Sequence, residues 1–175
     1  MKITVVLFDL GSTLLYARDP WQPIFKVAEQ ALLNVLMEED LILDDRIIIP
    51  GKDGFLAAYY ADRGDGIQEK TAMSFLKEIL TQHGYPQYSD LVLRKALDAL
   101  FQITQQNWYI EEDAAPALDI LQKQNLRLGV VSNTSDDRNA QQLIDKYRLR
   151  PFFEKIVTSA ACGIRKPEAR IFQLA

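Results

Sequence analysis

The first apolar run of the chain, Ile3-Thr4-Val5-Val6-Leu7-Phe8, is short, rich in β-branched residues and free of alternation. That is the pattern of a parallel strand buried on both faces. After Leu14 the period becomes helical, with Ile24, Val27, Ala28, Ala31, Leu32, Val35 and Leu36 recurring on one stripe after Asp19-Pro20. Leu41 to Ile49 is an apolar patch broken by charge, and Pro50-Gly51 marks a turn. The spacing predicts two further helices, over 67–82 and 89–104, parted by His83-Gly84-Tyr85-Pro86. From about Tyr109 the order becomes helix (Ala114, Leu118, Ile120, Leu121), strand (126–131), helix (Ala140, Leu143, Ile144, capped by Ser135 or Asp136), strand (152–158) and helix opened by Pro167. This alternation predicts an α/β fold, a Rossmann-like doubly wound parallel sheet, over 1–15 and 108–175. A helical block over 16–107 is inserted in it. The last helix reaches Leu174-Ala175 without a stop signal, from which a further carboxyl-terminal segment is expected.

Composition narrows the choices. A hydrophobic share of 48% over 175 residues suits one domain with a real core and argues against disorder. The net charge of −4 offers no basic face, so neither nucleic acid nor an anionic membrane is expected as a partner. One Cys, Cys162, excludes a disulfide framework and a cysteine zinc site within the chain, and reads as a small buried filler. One His, His83, excludes a two-histidine metal motif and reads as a helix-end residue. No stretch approaches membrane-spanning length, and the expected compartment is cytoplasmic. Oligomeric state leaves no trace in the pattern.

The candidate chemistry sits at three strand ends. Asp9-Leu10-Gly11-Ser12-Thr13 follows the first strand, Ser132-Asn133 the second, and Gly163-Ile164-Arg165-Lys166-Pro167 the third. Right-handed crossovers in a parallel sheet bring all three to one edge, where open α/β sheets build their sites. A buried carboxylate is costly unless paired or put to work. Taken singly, Asp9 suits a turn-former, Ser132 a strand-end cap and Lys166 a surface lysine. Their joint order favours a shared site: a carboxylate to attack a phosphoryl group, a hydroxyl and an amide to hold its oxygens, and an ammonium to balance its charge.

These motifs resemble the haloacid dehalogenase superfamily, whose members are mostly phosphatases with a helical cap inserted after the first strand. The resemblance implies that Asp9 is the nucleophile, forming an aspartyl-phosphate, and that 16–107 is the cap. It implies that Lys166 neutralises charge and that Ser132, Asn133, Gly11, Ser12 and Thr13 bind the phosphate of a small phosphorylated metabolite. Mg²⁺ is the implied cofactor, on Asp9 and the carbonyl of Gly11. Two departures stand out. Gly11 occupies the place where family phosphatases carry a second Asp for acid–base help, worth about 10²–10⁴ in rate. The late acidic motif, expected beyond Ala175, is not among these residues. The departures motivate a second reading, a catalytically weak or silent member that binds a phosphorylated ligand or a partner protein. A 2-haloacid dehalogenase is a third, disfavoured by Gly11 in place of an aromatic residue.

Overall fold

The computed structural model describes residues 3–39, 54–63 and 66–175; the patch Leu41–Ile49 and the turn at Pro50-Gly51 lie outside the described residues. The described chain divides into two compact units. One holds the described residues up to Arg18, Gly66–Glu69 and Trp108–Ala175; the other holds the described residues of 19–65 and Lys70–Asn107.

In the first unit, β1 (Val5–Phe8), β4 (Arg127–Ser132) and β5 (Lys155–Thr158) form a parallel sheet in the order β1-β4-β5. The central strand alternates its burial between two helical layers. Leu128 and Val130 pack with Leu118 of α5 (Ala114–Lys123) and with Ala140, Leu143 and Ile144 of α6 (Asp137–Lys146). Val131 and Val157 pack on the opposite face with Ile171 of α8 (Ala169–Gln173). Helices on both faces of a parallel sheet make the fold Rossmann-like and doubly wound, as the alternation predicts. Gly129 is hemmed in by the two neighbouring strands: a Cβ there would lie 2.9 Å from Leu7 Cδ2 and 3.2 Å from the Lys155 carbonyl oxygen.

Four expectations need correction. β1 is only partly buried: Val6 and Phe8 pack on one face of the sheet and Leu7 on the other, but among the described residues it pairs only with β4, and Ile3 and Val5 are exposed. The stretch after Leu14 does not turn helical at once. Leu15–Ala17 (β2) pairs antiparallel with Trp108–Ile110 (β3), a ribbon too short to show a period of two. Pro167 does not open the last helix. Glu168 caps it, Pro167 follows a cis peptide bond, and the four-residue α7 (Ser159–Cys162) precedes that turn. Cys162 is only half-buried. Asp136, one of the two candidate caps, accepts the Asn139 N–H at 2.8 Å at the start of α6.

In the second unit, α1 (Trp21–Glu38), α2 (Gly54–Arg63), α3 (Ala72–Gln82) and α4 (Asp90–Thr104) enclose a core that includes Leu32, Leu36, Tyr59, Phe75, Leu76 and Leu97. His83 is the end cap of α3. Helix α2 has no clear apolar period in the sequence, and its start is set from α1. Buried Glu29 accepts the Leu56 N–H at 2.8 Å, one of the amides a helix leaves open in its first turn. Gly54, at φ +84°, lies directly under that carboxylate. Burial pushes the Glu29 carboxyl above its ordinary 4.5, against the lowering effect of the Leu56 bond. The sign follows. The unfolded chain loses this proton first, so the contribution to stability is complete below about pH 4.5 and declines as pH rises through the raised value. Glu29→Gln keeps an acceptor for Leu56 without the buried charge. Urea unfolding is expected to show the variant gaining on the wild type between pH 4.5 and pH 7.5; parallel pH profiles would disprove the assignment.

Candidate active site

Strand register brings the predicted residues to one edge. Phe8 pairs with Val130, so Asp9 stands level with the last residues of β4, and Ser132 pairs with Thr158 at the end of β5. Ser132 is buried at that edge. The loop after β1 is closed by its own backbone. The Leu10 carbonyl accepts from Leu14 N–H at 3.0 Å and Leu15 N–H at 2.9 Å. Ser12, in the left-handed region at φ 59°, donates its N–H to the Leu15 carbonyl at 2.7 Å. A phosphate contact from exposed Ser12 therefore falls to its hydroxyl. Thr13 is also exposed on this turn.

Lys166 Nζ lies 2.7 Å from Asp9 Oδ2, and Asp9 Oδ1 accepts the Leu10 N–H at 2.7 Å. Asp9 is less enclosed than a strand-end carboxylate suggests: its side chain is 43% exposed, that of Lys166 21%. An ion pair that open is worth about 0–1 kcal/mol, too little to hold a loop in place. The loop is held by its backbone. Asn133 Oδ1 accepts the Lys166 N–H at 2.8 Å while its Nδ2 donates to the Lys166 carbonyl at 3.1 Å. Both ends of this amide thus engage the third motif, and its second Nδ2 hydrogen and the backbone N–H are the donors that Asn133 has to offer a phosphate.

Two neighbours carry no signal in the sequence. The ring of Trp108, first residue of β3, covers Gly11: a Cβ at Gly11 would meet Trp108 Cη2 at 3.2 Å. Tyr147 donates its hydroxyl to the Trp108 carbonyl, tying that strand to the end of α6. The place of a second acid is thus roofed by an aromatic ring. The other neighbour is the strap Gly66–Glu69, which lies within the stretch 16–107 and bridges to the third motif at Ile164.

The two groups that the resemblance names for a cation, the Asp9 carboxylate and the Gly11 carbonyl, are both oxygen donors. Among the described residues no cluster of three or more His, Cys, Asp or Glu side chains is placed to hold a metal. Oxygen donors of this kind suit Mg²⁺, which binds through one or two carboxylates and keeps its remaining positions for water and substrate phosphate. Among the described residues no helix is long and apolar enough to cross a membrane.

Asp9 and Lys166 meet at the carboxyl edge of a doubly wound parallel sheet, where open α/β folds build their sites. The chain belongs to the haloacid dehalogenase-like hydrolase family, whose model matches residues 3–175. Haloacid dehalogenase-like hydrolase domain-containing protein 3 of Xenopus laevis is 35% identical over 72 residues, 41% of this chain and 29% of the relative. The Bos taurus protein of that name is 38% identical over 65 residues, 37% and 25% of the two chains. The match thus spans less than a third of either relative's length. Among solved structures, a HAD phosphatase from Thermococcus onnurineus aligns with 99% of this chain and 70% of its own, at TM-score 0.56 and 16% identity. A predicted phosphoglycolate phosphatase from Haemophilus somnus aligns with 98% and 69%, at TM-score 0.51 and 14% identity. Both share the fold.

Proposed function

We propose that the chain carries the reacting core of a Mg²⁺-dependent phosphatase for a small phosphorylated metabolite. The observation behind this reading is the 2.7 Å approach of Lys166 Nζ to Asp9 Oδ2 beside buried Ser132. An Asp9 oxygen attacks phosphorus, an O–P bond forms, and the bond to the ester oxygen breaks. Water then attacks the aspartyl-phosphate and releases inorganic phosphate. Phosphoryl transfer depends mainly on positioning and charge stabilisation, which suits a site rich in fixed donors. Lys166 balances charge on the non-bridging oxygens, and Ser132 with Asn133 orients them. Asp9 and the Gly11 carbonyl would hold Mg²⁺, which supplies further positive charge when bound. With Gly11 beneath Trp108, the departing oxygen takes its proton from water, which favours esters whose leaving groups need little help.

The test is phosphate release by the full-length protein from a panel of phosphomonoesters. We expect turnover of p-nitrophenyl phosphate well above that of alkyl phosphates, abolished by EDTA and restored by Mg²⁺. Absence of release with every ester would favour the second reading, a binding protein for a phosphorylated ligand or a partner protein, for which the roofed Gly11 is the supporting observation. Halide release from a 2-haloacid would instead indicate a dehalogenase.

A further inference from the structure

The strap Gly66–Glu69 is held to the third motif by its backbone and by a buried carboxylate. Gln68 bridges antiparallel to Ile164. Glu69 N–H donates to the Gly163 carbonyl at 3.0 Å, and Arg165 N–H to the Ile67 carbonyl at 2.8 Å. Arg165 Nη1 reaches the Gly66 carbonyl at 3.1 Å. The Glu69 side chain is fully buried, with its Oε2 3.7 Å from Arg165 Nε. Ser159, also fully buried, donates its hydroxyl to the same oxygen at 2.5 Å and accepts the Thr134 N–H at 2.8 Å. A carboxylate without solvent persists only where its partners hold it, and the partners are held in return.

These partners flank the chemistry. Arg165 immediately precedes Lys166. Thr134 follows Asn133, whose amide grips the Lys166 peptide from the other side. Lysine is a compact charge on a flexible stem of four carbons, so a fixed Lys166 backbone decides where its ammonium can go. We propose that Glu69 is a positioning residue: through Arg165 and Ser159 it holds loop 163–167 where Lys166 meets Asp9. This deepens the phosphatase reading and rests on it for the role of Lys166. It also assigns part of the helical insert's sequence to the order of the charge-balancing group.

The test compares full-length wild type with Glu69→Gln and Glu69→Ala at a temperature well below the melting point of each. Gln keeps an acceptor for Ser159 and loses the charge facing Arg165; Ala loses both. The first readout is the rate at which a lysine-directed acylating reagent modifies Lys166, followed by peptide mass spectrometry with exposed Lys123 as internal reference. The second is kcat and KM for p-nitrophenyl phosphate with Mg²⁺. We expect Lys166 to react several-fold faster in Gln and faster still in Ala. The kcat is expected to fall by up to about 10²-fold in Ala, with KM little changed, as for a misplaced reacting group. Wild-type Lys166 reactivity and kcat in a folded variant, even one that melts lower, would overturn the proposal and leave Glu69 a structural tie. If Ala does not fold, Gln decides. If the wild type releases no phosphate, that result counts against the phosphatase reading, while the Lys166 reactivity still decides the role of Glu69.

Discussion

Asp9→Asn is expected to lower phosphate release by about 10⁴-fold or more, the scale on which removing a covalent nucleophile acts. The amide keeps the size and the contact with the Leu10 N–H but cannot form the acyl phosphate. Lys166 loses a partner in a half-open pair, so stability should change by no more than about 1 kcal/mol. Binding of inorganic phosphate should survive and can tighten, because Lys166 no longer shares its charge with a carboxylate. Rapid acid quench of the wild type should trap protein-bound phosphate that hydroxylamine releases, and the variant should trap none. Retention of even a tenth of the wild-type rate would end the aspartyl-phosphate mechanism.

The second large effect lies at Gly11. Gly11→Asp alone places a Cβ 3.2 Å from Trp108 Cη2, so the ring must yield before the carboxyl can reach a leaving oxygen. Combined with Trp108→Phe, which withdraws the outer part of the ring, the new acid gains its room. We expect the double variant to turn over alkyl phosphates about 10²-fold faster or more, within the range that general acid–base catalysis supplies. p-Nitrophenyl phosphate, whose leaving group needs no proton, should gain far less. The test is the dependence of kcat/KM on leaving-group pKa: its slope should flatten, and the pH profile should acquire a limb where the new carboxyl loses its proton. An unchanged slope in a folded double variant would show that protonation of the leaving oxygen does not limit the rate.

What the sequence makes legible, and what it does not, divides along physical lines. Buried strands without alternation and helices with a clear stripe are visible in Leu128-Gly129-Val130-Val131 and in Ala28, Leu32 and Leu36. Strand ends can then be located, and with them Asp9, Ser132 and Lys166. Three-residue pairings such as Leu15–Ala17 with Trp108–Ile110 depend on partners 93 residues away at Tyr16 and Tyr109 and leave no local period. Glu69 stands in the polar run Gln68-Glu69-Lys70 and reads as the solvated first turn of a helix, although its side chain is fully buried. Trp108 follows Gln105-Gln106-Asn107, and nothing in that run indicates a ring lying over Gly11. Asp9 errs the other way, more open than its position suggests, because β1 is paired on one side only among the described residues.

The grip of Asn133 on the Lys166 peptide has a consequence for the order in which the site forms during folding. It joins residues 33 apart, within a stretch that also contains the pairing of β4 with β5. Asp9 reaches the same place from the far end of the chain, through β1. Closing the longer loop costs more entropy, so short-range contacts tend to form first. The anion-holding half of the site can therefore assemble from residues 127–167 as a preformed receptor, and docking of β1 then completes it. Catalysis is then expected to appear later in folding than phosphate binding, and pulse-labelled hydrogen exchange that protects β1 before β4 and β5 would contradict this order.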